Sequence, residues 1–148
     1  MSYELVDLAE VNLPMFNEPM PPMMGQYQFD YTKEWSAKIG QYDGFVFVSP
    51  EYNAGYPAVL KNAIDYLCNE WADKPVTIVT YGYTGGASAN NQLKEVFERL
   101  KMKVTTTLPT LFFSEGIFGT DYQITDIDTA FAKNASDIAK AGAELLAL

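Results

Sequence analysis

Histidine is missing from this chain altogether, and cysteine occurs once, at Cys68. These absences exclude a disulfide framework, a zinc site of the usual Cys/His kind, and nucleophilic catalysis of the Ser-His-Asp or Cys-His form. Positive charge is also scarce, since 10 Lys and Arg stand against 19 Asp and Glu, for a formal net charge of -9. Neutralising phosphates needs a basic surface, so nucleic acid and an acidic membrane surface are both disfavoured as partners. No apolar run approaches the roughly 18 residues of a membrane span, and the N-terminus lacks the charged-then-apolar pattern of a secretory signal. The expectation is a cytoplasmic protein whose chemistry comes from a cofactor, or from carboxylates and hydroxyls.

What is present organises itself around Gly44 to Leu67. With 148 residues, 48% of them hydrophobic, the chain is expected to form one domain, 1–148, with a real core. Phe45-Val46-Phe47-Val48 is an unbroken run whose β-branched and aromatic content suits a strand buried on both faces. Ser49-Pro50 stops it, polar and small residues follow to Pro57, and apolar residues at 59, 60, 63, 64 and 67 then keep helical spacing. In an open parallel α/β sheet, ligands bind outside the carboxyl ends of the strands. The loop Pro50-Glu51-Tyr52-Asn53 is therefore the first place to look for a site. A second strand, Val76 to Thr80, leads into the glycine-rich loop Tyr81 to Ser88. The helix behind it carries Leu93, Val96, Phe97 and Leu100 on one face, with the pairs Lys94/Glu98 and Glu95/Arg99 outside.

Elsewhere, Tyr3 to Ala9 reads as a short strand, and the proline- and methionine-rich segment from Asn12 to Gly25 as an extended surface loop. Its methionines either pack adaptably against the domain or belong to a substrate or subunit surface. Asp30 is a plausible N-cap for a helix through Ile39 that Gly40 ends, with Tyr31, Trp35 and Ile39 on one face and Glu34/Lys38 as a pair. Lys103 to Leu108 and Thr110 to Phe113 form a last strand broken at Pro109, followed by an irregular loop to Gln123. Thr125-Asp126-Ile127-Asp128 resembles a capping box opening a final helix that buries Ile127, Phe131, Ala135, Ile138, Gly142 and Leu145. Cys68 follows Leu60 and Ile64 at helical spacing and reads as a small buried hydrophobe. Alternating strands and helices imply parallel strands with right-handed crossovers and helices on both faces. No G-x-G-x-x-G or G-x-x-x-x-G-K-[ST] follows a strand.

Ser49-Pro50-Glu51-Tyr52-Asn53, followed by Pro57-x-x-Leu60-Lys61-Asn62-Ala63-Ile64-Asp65, resembles the flavodoxin-like NAD(P)H-dependent FMN reductases and their quinone, chromate and azo-dye reductase relatives. The resemblance runs in weaker form from about Tyr3 to the C-terminus. It implies a flavodoxin-like three-layer α/β sandwich with a parallel sheet. It also implies FMN as cofactor, NAD(P)H as co-substrate, and hydride passage through the flavin to a quinone-like or free-flavin acceptor. Pro50, Glu51, Tyr52 and Asn53 match the loop that contacts the flavin ring in the family, and Thr84, Gly85 and Gly86 correspond to its other ring-side loop. Backbone N–H groups of residues 51 to 53 would face the ring, and Tyr52 or Tyr56 would wall it. No catalytic side chain and no metal ligand is implied. The family's equivalent of the 57–68 helix lies at a subunit interface, which implies a homo-oligomer. Lys61, Asn62 and Asp65 are expected to be solvated or interface residues.

The chain departs from the family at its beginning. The family's first unit is a strand, a Gly-Ser-x-Arg-x-x-Ser loop that holds the FMN phosphate, and a helix, and none of these is found here. About four strands are expected because the family's first strand is absent, and in the flavodoxin-like order that strand is internal. Its removal leaves a gap of about 9.6 Å, two inter-strand spacings, between the Leu5 and Phe47 strands. Three resolutions follow. The chain is truncated relative to the natural protein; the Leu5 strand moves over to pair directly with the Phe47 strand; or another chain supplies the strand. The alternative to an enzyme is a non-catalytic flavodoxin-like subunit that lost its phosphate site and serves in assembly.

Overall fold

A computed structural model describes residues 2–148, apart from the side chain of Asp128. The chain divides into two compact units, one of residues up to Tyr42 together with Ala58–Ala72, the other of Asp43–Pro57 with Asp73–Leu148.

The first unit is helical. A short α1 (Leu8–Val11) begins where the Asp7 carboxylate accepts the Ala9 N–H at 2.8 Å, and it ends at Asn12 in a left-handed conformation. α2 (Asp30–Gly40) buries Trp35 and Ile39, as its spacing predicts. Its cap is Phe29 rather than Asp30. The buried Glu18 carboxylate, reaching in from the proline-rich segment, accepts the Gln28 and Phe29 N–H groups at 2.8 and 3.1 Å. Lys38 pairs with Glu4 at 2.6 Å instead of Glu34. α3 (Ala58–Asp65) is joined to the rest of the unit by ring N–H bonds, from Trp35 to the Ala63 carbonyl at 2.9 Å and from Trp71 to the Ile64 carbonyl at 3.1 Å. Asn62 is not solvated. It is buried, and its amide brackets the proline-rich segment, accepting the Phe16 N–H at 2.9 Å and donating to the Pro14 carbonyl at 2.8 Å. The methionines of that segment, Met15, Met20, Met23 and Met24, stay exposed instead of packing. Cys68 is only half-buried.

The second unit holds an open, all-parallel sheet. β1 (Phe45–Pro50) lies beside β2 (Pro75–Gly82) along its whole length, in register Phe45↔Val76 to Pro50↔Tyr81. Pro109 splits the last strand, so β3 (Lys103–Val104) and β4 (Thr110–Phe112) pair with the two ends of β2 in turn. Four strands are present among the described residues, but not the four expected. Tyr3 to Ala9 is not a strand: residues 3–7 are irregular, Leu5 is 93% exposed, and β1 pairs with β2 alone among the described residues. A strand requires a ladder partner, and β-propensity alone did not supply one.

α4 (Ala87–Arg99) packs on one face of this sheet. Its Leu93 and Phe97 are fully buried, and the Phe97 ring lies 4.5 Å from that of Phe47. Register places Val76, Ile78 and Thr80 on the same face as Phe45, Phe47 and Ser49. Thr77 and Val79 therefore point to the opposite face, and α6 (Ala135–Ala147), the other long helix against β2, accounts for their burial. Val46 and Val48 share that opposite face yet are 46% and 62% exposed, so the cover stops short of β1.

The C-terminal helix is not continuous. α5 (Ile127–Ala130) and a 3₁₀ turn (Ala132–Asn134) precede α6, and Ala141 is the one residue of α6 that is fully buried among those described. Ile127 and Ile138 are exposed, contrary to expectation. Of the capping box, Asp126 is the working residue, accepting the Thr129 hydroxyl, while Thr125 donates to the Ile117 carbonyl at 3.3 Å; the Asp128 side chain lies outside the described residues.

Candidate functional site

Two loops leave the carboxyl ends of neighbouring parallel strands, and both belong to the second unit. Pro50 closes β1 opposite Tyr81 of β2. The chain then folds into a tight hairpin in which the Tyr52 N–H donates to the Gly55 carbonyl at 2.7 Å and the Gly55 N–H returns to the Tyr52 carbonyl at 3.0 Å. Asn53 and Ala54 between them both have positive φ, 51° and 62°, as in a type I′ turn. Of the backbone donors expected in residues 51 to 53, that of Tyr52 is thus engaged within the turn. The Tyr52 ring is 63% exposed at the hairpin's tip, and Asn53 is exposed beside it.

The second loop turns at Gly85 and Gly86, both left-handed with φ of 73° and 79°. Neither position admits a side chain. A Cβ on Gly85 would lie 2.7 Å from the Phe112 ring, and one on Gly86 would lie 2.7 Å from Cβ of Thr80. The Thr80 hydroxyl is buried beneath this loop, donating to the Gly85 carbonyl at 3.0 Å and accepting from the Asn90 amide at 3.3 Å. The glycines therefore serve the fold of the loop, and Thr84 and the Tyr83 ring are left outermost.

Side chains of α4 join the two loops. The Glu51 carboxylate accepts the N–H groups of Ser88 and Ala89 at 2.9 and 3.1 Å, filling the start of the helix where unsatisfied donors point outward. Gln92, one turn on, donates to the Ala54 carbonyl at 2.7 Å. Pro50, Glu51, Tyr52 and Asn53 on one side, and Thr84, Gly85 and Gly86 on the other, are thus brought to adjacent loops at one end of the sheet.

Sequence reasoning missed an aromatic wall behind them. Phe113, just past β4, packs against Tyr81 at 5.8 Å, Tyr83 at 5.5 Å and Phe118 at 5.0 Å. Burial, and then the nearby Tyr52, push the Tyr81 hydroxyl above its ordinary pKa, so it stays protonated at neutral pH. The signal available in the sequence was the aromatic end of the broken last strand, Leu111-Phe112-Phe113. The bonds that join the two loops to α4 and β2 are made by Glu51, Gln92, Thr80 and Asn90; Lys94 pairs with Glu98, and Lys74 lies over the Phe45 ring at the other end of β1. In the first unit, a depression of about 160 Å³ lined by Leu8, Val11, Leu13, Val59 and Ala63 also touches Asn62, whose amide is already bonded to Pro14 and Phe16.

A family model described as NADPH-dependent FMN reductase matches residues 1–113. An NAD(P)H-dependent FMN reductase of Schizosaccharomyces pombe is 52% identical over 111 residues, covering 74% of this chain and 56% of the relative. One from Saccharomyces cerevisiae is 43% identical over 110 residues, with coverage of 70% and 58%. A quinone reductase of Pseudomonas putida is 31% identical over 113 residues, with coverage of 69% and 56%. The chain therefore spans little more than half the length of these curated relatives. Among solved structures, FerB, a flavoenzyme NAD(P)H:(acceptor) oxidoreductase from Paracoccus denitrificans, superposes with a TM-score of 0.69 over 95% of this chain and 79% of its own, at 22% identity, a likeness of fold. By the family match over 113 of 148 residues, and by relatives as close as 52% identical, this chain belongs to the NADPH-dependent FMN reductase family.

Proposed function

We propose that this chain carries the flavin-ring site of an FMN-dependent NAD(P)H oxidoreductase that reduces a quinone-like or free-flavin acceptor. The observation that supports it most is the pair of glycine-bearing loops at the carboxyl ends of β1 and β2, held together through α4. Flat, partly polar rings are bound by main-chain groups at the edge and aromatic walls at the faces. Here Tyr52 and Tyr83 are exposed on either loop, and the Asn53 and Thr84 side chains lie beside them. This donor set fits the ring end of FMN. It does not fit the phosphate end: none of the bonds that join the loops brings a cation there among the described residues, and the start of α4, a natural anion site, already holds the Glu51 carboxylate.

FMN, when bound, would supply the hydride chemistry between nicotinamide and acceptor. The chain's own contribution is orientation. Pro50 and the 52–55 hairpin fix one edge of the site, Gly85 and Gly86 hold the other edge close to β4, and the Phe113 cluster supports it from behind. Neither Glu51 nor Tyr81 is offered as an acid or base, because the first is bonded to α4 and the second is held protonated.

The same reading treats residues 1–148 as one flavodoxin-like domain in the cytoplasm, forming a homo-oligomer through the 57–68 helix. In its support, no helix among the described residues is long and apolar enough to cross a membrane, and α3 leaves Val59 55% exposed. Titration of the purified chain with FMN, followed by flavin fluorescence, is the test, together with NADPH oxidation in the presence of a quinone. Quenching with saturation and quinone-dependent turnover are expected. Absence of both would sink the proposal.

A further inference from the structure

Gln92 lies outside both loops, yet its side chain reaches the first of them. Its amide donates to the Ala54 carbonyl at 2.7 Å, at the crest of the hairpin. It passes close to Gly55, where an added Cβ would lie 3.2 Å from Gln92 Oε1. One turn nearer the start of α4, Glu51 holds the base of the same hairpin through the Ser88 and Ala89 N–H groups. The opposite loop is tied to this part of α4 as well, because Asn90 bonds Thr80, which in turn bonds the Gly85 carbonyl. The first two turns of α4 thus hold the hairpin at two points and the glycine loop at a third.

We infer that Gln92 and Glu51 are positioning residues, a two-point clasp that fixes the 51–55 hairpin on α4 and so sets the width of the ring site between the two loops. The inference rests on the flavin-ring reading for its purpose, but the clasp itself belongs to the chain. A site preformed in this way loses little freedom when the ring enters, which favours affinity without any direct contact from Gln92.

Two measurements on the same proteins decide it. The first is residue-resolved amide exchange in flavin-free protein. The Tyr52 and Gly55 N–H groups, bonded to each other's carbonyls, should exchange about tenfold faster in Gln92→Ala and Glu51→Ala, the effect of losing one modest hydrogen bond. Glu51→Gln, which keeps an acceptor oxygen, should restore most of the protection, and Lys94→Ala should change nothing. Unaltered exchange in Gln92→Ala would overturn the clasp. The second is FMN titration, in which Gln92→Ala should weaken binding about tenfold while Lys94→Ala binds as the parent does. If exchange quickens but FMN affinity stays at the parent value, the clasp does not serve the ring and the inference fails. If the parent takes up no FMN, the ring-site reading is lost, while the exchange data still judge the clasp.

Discussion

Gly86 shows how strictly a single position is determined here. Its φ of 79° is one that side chains resist, and the space a Cβ would need is filled by buried Thr80, 2.7 Å away. Gly86→Ala should cost about 2 kcal/mol or more in urea unfolding. Gly116→Ala, with φ of 77° but nothing within 4 Å, should cost only about 1 kcal/mol, because strain remains and the clash does not. A second residue sets part of the acid limit. Glu144 accepts the Thr107 N–H at 2.7 Å and the Thr107 hydroxyl at 2.8 Å, and these bonds hold its carboxyl below the ordinary 4.5. A carboxylate with a lowered folded pKa stabilises above its unfolded value and loses that contribution as pH falls through the folded one. Stability should therefore decline below about pH 4.5, and Glu144→Gln should flatten that part of the curve in a pH series of thermal melts. At this scale the sequence was half legible. Composition and motif pointed to Pro50 through Asn53, yet nothing in them revealed that the Glu51 side chain binds a helix 37 residues away. Such a contact depends on where two strands end, which no local pattern encodes.

Helices α4 and α6 make a contrast at the scale of elements. Both show apolar residues at helical spacing, but α4 buries Leu93 and Phe97 completely while α6 buries only Ala141 among the described residues. Phe97→Ala should cost about 3–5 kcal/mol, and Ile138→Ala, 42% exposed, under about 1 kcal/mol; the gap between the two midpoints in denaturant is the measurement. Periodicity gave the buried side of α4 correctly but not that of the C-terminal helices, where Ile127, Ala135 and Ile138 are exposed. It carried no information on what lies against that side, which depends on the sheet beneath. Tyr3 to Ala9 failed for a related reason. The segment reads as a short strand, but strand structure belongs to a pair, and β1 takes β2 as its partner. Pro109, by contrast, was legible as a break, since its missing N–H cannot join a ladder.

For the molecule as a whole, the parallel sheet and the family were legible from the 49–65 stretch, because strand, loop and helix there are consecutive in the chain. That no cation takes part in the bonds joining the two loops, among the described residues, has a direct consequence for ligand choice. If the ring end alone is gripped, riboflavin should bind within about threefold of FMN, whereas each charge-assisted phosphate contact would favour FMN by about 10- to 100-fold. Parallel fluorescence titrations with the two flavins measure this, and a large preference for FMN would reveal a phosphate grip among these residues. The outer side of β1 bears on a different property, the behaviour of the protein in concentrated solution. Phe45-Val46-Phe47-Val48 belongs to the strand at one end of the sheet order, is uncharged and free of interior proline, and is bare at Val46 and Val48. Natural edge strands usually carry a charge or a bulge that discourages other chains from adding to them. Here the restraint is long-range instead, the mutual repulsion of molecules with a net charge of -9. Such repulsion is screened beyond about 3 Å at 1 M salt. Solutions clear at low ionic strength should become turbid on adding salt at neutral pH, and Val48→Lys, with a charge on the strand itself, should keep them clear; equal clouding of both proteins would place the cause elsewhere.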